Sequence, residues 1–260
     1  MIRLAVTGAA GRMGRRIIEL ARDRKNLQVV AALEAPGHPQ LGRSVAGGEP
    51  TLAHDCNVPF DVLVDFSLAS ATEVVLSLAR NDAAAIVMGT TGHTPDQLTA
   101  IDEAAKHIPL LKAPNMSVGV NLLLRLIGQV ARALGPDYDA EIVEAHHRFK
   151  ADAPSGTAMA LLDALCRATD RKPDRDTVFG RKGQTGQRPA GQIGVHALRM
   201  GDVVGQHEVF FSTLGETVLL RHTAHTRDTF VQGALRAAEW IVGKPPGLYS
   251  MQDVLSAANT

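Results

Sequence analysis

Apolar positions along the chain fall into short continuous runs, separated by stretches of helical periodicity. Ile2–Thr7 and Leu27–Leu33 are the first two runs, joined by a helical pattern through Ile17, Ile18 and Leu20. Val62–Phe66, Ala84–Met88 and Ile108–Leu111 follow, with a helix through Val74, Val75 and Leu78 and another opening at Thr94-Pro95 between them. Thr94 can cap that last helix, Pro95 suits its first turn, and Gln97 sits at the capping-box position. Continuous apolar strands alternating with amphipathic helices predict a parallel sheet covered on both faces.

The rhythm changes near residue 120. A long apolar helix over Val120–Leu134 stops at Gly135-Pro136, and one more strand and helix come after it. Arg171–Gly191 is polar and rich in Gly, Arg and Gln, and reads as a mobile loop. Ile193–Arg199, Glu208–Ser212 and Thr217–His222 read as strands, the last two as a hairpin around Leu214-Gly215. A closing helix from about Arg227 runs through Phe230, Val231, Leu235, Ala238 and Ile241. The expected class is α/β: a Rossmann-like doubly wound parallel sheet with an inserted α+β domain. Residues 1–117 plus 228–260 form the expected dinucleotide-binding domain, and 118–227 the inserted one.

Composition narrows the function without naming it. The 260 residues are 45% hydrophobic, enough to fill a core, which excludes disorder as the main state. Lys and Arg number 27 against 27 Asp and Glu, so the chain is not built to coat nucleic acid or a membrane surface. Apolar stretches such as Ala83–Met88 and Val118–Leu124 fall short of the ~20 residues of a membrane span, and the apolar start Met1–Val6 is too short for a secretory leader. Cys56 and Cys166 lie far apart with no zinc spacing; reduced thiols in a cytoplasmic protein fit them.

Two segments carry candidate chemistry. Gly8-x-x-Gly11-x-x-Gly14 follows a predicted strand and opens a predicted helix. Glycine there permits a tight turn, close backbone approach to a pyrophosphate, and close helix–strand packing. The helix N-terminus favours an anion, and Arg12 can add a contact to phosphate. The spacing is not the strict fingerprint, since Ala10 stands where a glycine is usual, and alone it fits a plain glycine-rich turn equally well. Glu34 shifts the balance, because it ends the second strand about 20 residues after Gly14, where a ribose-binding acid belongs. The next residue, Ala35, offers no cation to a 2′-phosphate, so the cofactor expected is NADH or NADPH with NADH favoured. The loops Gly89–Gly92 and Ala113–Ser117 follow later strands and can surround the nicotinamide, although turn chemistry alone explains either one.

The second segment reads Glu144-Ala145-His146-His147-Arg148-Phe149-Lys150, then Asp152-Ala153-Pro154-Ser155-Gly156-Thr157. Adjacent histidines on a strand point to opposite faces and no full ligand set accompanies them, so no metal is expected. Ser155 or Thr157 can cap the following helix, whose N–H groups beside several cations suit a small anion. His146 or His147 can donate a proton during reduction of an imine or enamine. Lys150 can do so only with a lowered pKa, and otherwise stabilises developing negative charge.

The run Glu141–Ala158 resembles the signature of the dihydrodipicolinate reductase family, the 4-hydroxy-tetrahydrodipicolinate reductases of the diaminopimelate route to lysine. The likeness extends through Gly8–Gly14, Glu34, Asp65-Phe66-Ser67, Gly89–Gly92, Asn115–Asn121, Arg199–Val203, Gly205, His207, His222, Ala224 and Arg227. It implies His146 as proton donor or acceptor and Lys150 as a second catalytic group. It implies substrate binding by His147, Gly156 and Thr157. Cofactor contacts are implied for Gly8, Ala9, Ala10, Gly11, Arg12, Met13, Glu34, Gly89, Thr90, Thr91, Ala113, Pro114, Asn115 and Met116, and Arg227 matches a position near the hinge between domains. The family reduces a cyclic dicarboxylate with NADH or NADPH, usually as a homotetramer. Many relatives carry arginine after the ribose-binding acid; Ala35 departs from that and puts NADPH use in question. A different two-domain reductase, of an amino-acid semialdehyde for example, or a non-catalytic NAD-binding module are the alternatives the residues leave.

Overall fold

The computed structural model describes residues 1–256; residues 257–260, the end of the predicted dinucleotide-binding domain, lie outside them. In chain order the elements are β1 (Ile2–Thr7), α1 (Arg12–Arg22), β2 (Leu27–Leu33), β3 (Ser44–Val45), β4 (Gly48–Ala53), β5 (Val62–Asp65), α2 (Thr72–Asn81), β6 (Ala85–Met88), α3 (Pro95–Ala105), β7 (Pro109–Lys112) and α4 (Val118–Leu134). They continue as β8 (Asp139–His146), α5 (Gly156–Thr169), α6 (Pro173–Asp176), β9 (Thr177–Phe179), β10 (Ile193–Arg199), β11 (Gly205–Ser212), β12 (Thr217–Ala224), α7 (Asp228–Ile241), β13 (Gly247–Tyr249) and α8 (Met251–Ser256). The chain divides into two compact units, Met1–Val118 with the segment from Asp228 onward, and Gly119–Arg227.

The first unit is an eight-stranded sheet in the order β13-β7-β6-β5-β1-β2-β4-β3. All its pairs are parallel except β3 with β4. Strand order reverses between β1 and β5, the place where a doubly wound sheet opens a crevice at its carboxyl ends. The predicted five strands are the centre of this sheet. The three additional ones, β3, β4 and β13, extend the sheet at its two ends; they are short or polar, and no apolar run announces them. Apolar side chains fill both faces. Leu4, Val6, Ile17, Ile18 and Val64 lie on one side, and Leu63, Ile86, Ile101 and Leu110 on the other. α7 returns to the first of these faces. Val231, Ala234, Leu235 and Ala238 are buried there, and Arg16 pairs with Asp228 and Arg24 with Glu239. α3 begins with the expected capping box, Thr94 Oγ1 accepting from Gln97 N–H and Gln97 Oε1 from Thr94 N–H.

The second unit is a five-stranded sheet in the order β12-β11-β8-β10-β9, with β8, β10 and β9 parallel and β11 antiparallel to both β8 and β12. Register sets its two faces. Ala140, Ile142, Ile193, Val195, Val209 and Phe211 point one way and pack with Leu123 and Ile127 of α4 and Leu161, Leu162 and Leu165 of α5. The 171–191 segment departs from the expected loop. It contains α6 and β9, and Arg181 and Arg188 tie it to Glu141 of β8 at 2.8 and 3.1 Å. Polar composition hid this, because the anchoring carboxylate lies far away in sequence. Burial pushes the Glu141 carboxyl up, but hydrogen bonds from Arg181, His196 and Arg188 outweigh it and bring it down to about 2.

Candidate functional site

In the first unit, the loops singled out by sequence share one edge of the sheet. Thr7, Asp65, Met88 and Lys112 end their strands in register, so Gly8, Phe66, Gly89 and Ala113 emerge side by side. Gly8 is irreplaceable on geometry: its φ is +68°, and a Cβ would sit 2.4 Å from the Phe66 carbonyl oxygen. A Cβ on Gly14 would meet the Gly8 carbonyl oxygen at 2.2 Å, which lets α1 approach the turn closely. Gly11 is the N-cap of α1 with no side-chain cap, so the helix presents its N–H groups uncovered by a side chain. Arg12 is exposed beside them.

Glu34 follows β2 into the same edge, where Oε2 accepts from Ala10 N–H and Oε1 from Ala35 N–H, both at 3.2 Å. Asp65, buried, accepts from the Thr7 hydroxyl and from the Ser67 N–H and hydroxyl. Thr90 Oγ1 and His93 Nε2 are buried beside Gly89 with no hydrogen-bond partner. An uncapped helix start, a glycine cradle and two orphaned polar atoms at one strand edge fit a dinucleotide. Not every implied position can act through its side chain. Ala9, Ala113 and Met116 are core residues, so only their backbone can meet a ligand.

The second unit concentrates polar groups at the carboxyl end of β8. Glu144 and His146 are two residues apart on this strand, which places both on the helix-covered face. Register brings Arg199 of β10 opposite His146, and His207 of β11 opposite Glu144. Glu144 has no exposed surface and accepts four hydrogen bonds. These come from Arg199 Nη1 at 2.9 Å and Nη2 at 2.8 Å, Ser155 N–H at 2.9 Å and His146 Nδ1 at 2.5 Å. Burial pushes its carboxyl up, yet the bonds from Arg199, His146 and Ser155 prevail and hold it below the usual range.

His146 is 12% exposed, and with Nδ1 engaged its free nitrogen is Nε2. Burial lowers its pKa, the nearby cations Lys150 and Arg199 add to that, and Glu144 opposes it. The His207 ring stands edge-on to His146 at 5.2 Å between centroids, and His222 lies 6.3 Å beyond His207. Ser155 Oγ caps α5 by accepting from Ala158 N–H and lies 3.3 Å from His207 Nε2. Burial, and then the neighbouring His146 and His222, push His207 down to about 4.

Lys150 Nζ donates to Asp152 at 2.9 Å, and Arg148 N–H donates to Gly201 O, which pins the loop after β8 to the turn after β10. His147 packs against the exposed Phe149, and its Nδ1 is buried without a partner. Gly156 and Thr157 form the first turn of α5. The structure thus brings His146, His147, Lys150, Gly156 and Thr157 to one end of one sheet. Glu144, Arg199 and His207 join them there with no role expected from sequence, and Ser155 joins them as the cap of α5. Period-two alternation from His146 is the signal in the sequence that can find Glu144, whereas Arg199 and His207 are visible only through strand pairing. Among the described residues no group of three or more His, Cys, Asp or Glu side chains is placed to hold a metal.

The comparisons with known proteins are consistent across the whole chain. A family model described as "Dihydrodipicolinate reductase, N-terminus" matches residues 2–116, and one described as "Dihydrodipicolinate reductase, C-terminus" matches 119–255. The 4-hydroxy-tetrahydrodipicolinate reductase of Myxococcus xanthus is 44% identical over 271 residues, covering 100% of both chains. That of Alkalilimnicola ehrlichii is 47% identical over 262 residues, covering 97% of this chain and 98% of its own. A dipicolinate-bound dihydrodipicolinate reductase from Paenisporosarcina sp. TG-14 shares the fold, with a TM-score of 0.77, 23% identity, and coverage of 96% of this chain and 97% of that one.

Proposed function

This chain belongs to the dihydrodipicolinate reductase family, and on that premise we propose that it reduces 4-hydroxy-tetrahydrodipicolinate to tetrahydrodipicolinate in the diaminopimelate route to lysine. The cofactor is NADH or NADPH, which supplies the hydride. The net change adds a hydride and a proton to the ring and releases water, so the protein's own task is to bind two carboxylates and deliver one proton. The observation that carries the reading is the histidine set on a buried, ionised Glu144 beside the start of α5. A non-catalytic NAD-binding module has no use for such a set.

In this reading His146 delivers the proton from Nε2, and Lys150 stabilises negative charge that develops on the ring. His147, Gly156 and Thr157 receive a substrate carboxylate at the N-terminus of α5, where N–H groups and the helix dipole favour an anion. Gly8 to Met13 seat the pyrophosphate, Glu34 the adenosine ribose, and Gly89 to Thr91 with Ala113 to Met116 the nicotinamide end. Ala35 places no cation directly after Glu34, so NADH binds at least as tightly as NADPH.

We further infer a homotetramer assembled through the helix-free face of the second sheet, where Leu198 and Leu219 are 46% and 44% exposed. The cytoplasm, with its reduced nicotinamide pool, suits both the reaction and the two free thiols. Among the described residues no helix is long and apolar enough to cross a membrane.

The test is oxidation of NADH by purified protein, dependent on freshly generated hydroxy-tetrahydrodipicolinate and inhibited by pyridine-2,6-dicarboxylate. His146→Gln lowers turnover while NADH affinity, read by titration, holds. A folded, cofactor-binding protein with no activity would overturn the assignment. A large binding preference for NADPH would overturn the cofactor reading, and light scattering checks the subunit count.

A further inference from the structure

We propose that Glu144 is a positioning residue for the reaction: it holds Nδ1–H of His146 and so makes Nε2 the nitrogen that exchanges a proton with substrate. The inference rests on the reading of His146 as the proton donor. The carboxylate is wholly buried and spends one oxygen on both His146 and Arg199, at 2.5 and 2.9 Å. The other oxygen takes Arg199 and Ser155 N–H, so every acceptor direction is committed. Arg199 is itself held, donating to the carbonyls of Leu198 and Asp152 at 2.6 Å each. The guanidinium therefore serves as a fixed counter-charge that keeps Glu144 ionised, and Glu144 in turn orients the imidazole. Acceptance by a carboxylate selects the Nδ1–H tautomer when His146 is neutral and stabilises the imidazolium when it is charged.

The groups facing His146 are few and can be named. Lys150 comes from the loop after β8, Arg199 from β10 and His207 from β11, with His222 of β12 behind it. The cations and burial all work against a protonated His146. Glu144 is the single anion among them, and it limits the lowering of the His146 pKa that burial and the cations bring about. A purely structural Glu144–Arg199 pair makes a different forecast, since it would leave the tautomer and titration of His146 untouched.

Nitrogen-15 NMR of the histidine side chains, assigned with His146→Gln, decides between these. Neutral His146 in the unaltered protein should carry its proton on Nδ1. In Glu144→Gln that preference should be lost and the titration of His146 should fall by about one to three pH units. The kinetic counterpart is a loss in kcat of about 10²-fold with little change in KM, and a pH–rate limb displaced to lower pH. Glu144→Asp, which keeps the charge, should restore much of the titration. An unchanged tautomer and titration in folded Glu144→Gln, or a loss carried by KM alone, would overturn the proposal. A neutral His146 protonated on Nε2 in the unaltered protein would overturn it without any variant. The NMR result does not depend on turnover, so a fixed tautomer in an inactive protein supports the positioning even as it removes the proposed reaction.

Discussion

His207 couples the second unit to pH, and the size of that coupling follows from its environment. The ring is 3% exposed. Its pKa is lowered from 6.5 to about 4, chiefly by burial and then by His146 and His222. A base whose folded pKa is depressed is neutral in the folded protein while the unfolded chain takes up a proton. Stability from this group is therefore fully present above about pH 6.5 and drains away as pH falls towards 4. At about 1.36 kcal/mol per pKa unit, the whole span is worth roughly 3 kcal/mol, of which about 2 kcal/mol is lost between pH 7 and pH 5. His207→Gln keeps a hydrogen-bonding group near Ser155 Oγ and removes the titration. Urea unfolding by circular dichroism at pH 7 and pH 5 measures the effect. The unaltered protein should lose about 2 kcal/mol more than the variant over that interval, whatever the variant costs at neutral pH. Equal losses in both proteins, or a larger loss in the variant, would show that His207 is not held neutral by its surroundings.

Arg199→Met leaves Glu144 buried without its main counter-charge and should cost about 3–5 kcal/mol, read as a fall in Tm at pH 7.5. Glu144 then titrates higher than in the unaltered protein, so acidification towards pH 5.5 should recover part of this loss, opposite in sign to the His207 effect. Gly205→Ala places a Cβ 3.2 Å from His146 Nε2. It should lower kcat about tenfold or more while Tm barely moves, and equal kcat would show that Nε2 is not the working nitrogen. Gly14→Ala drives a methyl into the Gly8 carbonyl oxygen at 2.2 Å; it should cost roughly 1–3 kcal/mol and weaken NADH binding, measured by fluorescence titration.

Much of the first unit is legible in order because its rules are local. A strand of apolar residues, a turn that only glycine can make and an amphipathic helix lie within about one βα unit, and Thr94 with Gln97 announces the start of α3 in four letters. What stays hidden there is the edge of the sheet. β4 reads Gly48-Glu49-Pro50-Thr51-Leu52-Ala53, too polar for the strand pattern, and pairs with β2 through only Ala32–Leu52 and Leu33–Ala53. β13 is three residues long and becomes a strand because β7 offers it a free edge.

The site in the second unit divides in the same way. The basic loop after β8, a cap for α5 at Ser155 or Thr157, and the alternation that puts Glu144 and His146 on one face can be read along the chain, because each depends on neighbours a few residues apart. That Glu144 stays ionised with no access to water, and that His207 stays neutral, is visible only in the folded chain. Arg199, 55 residues along the chain, holds Glu144 ionised against the cost of its burial, whereas burial and then the neighbouring His146 and His222 hold His207 neutral. Protonation is set by the surrounding dielectric and charge, and those exist only once β8, β10 and β11 have paired.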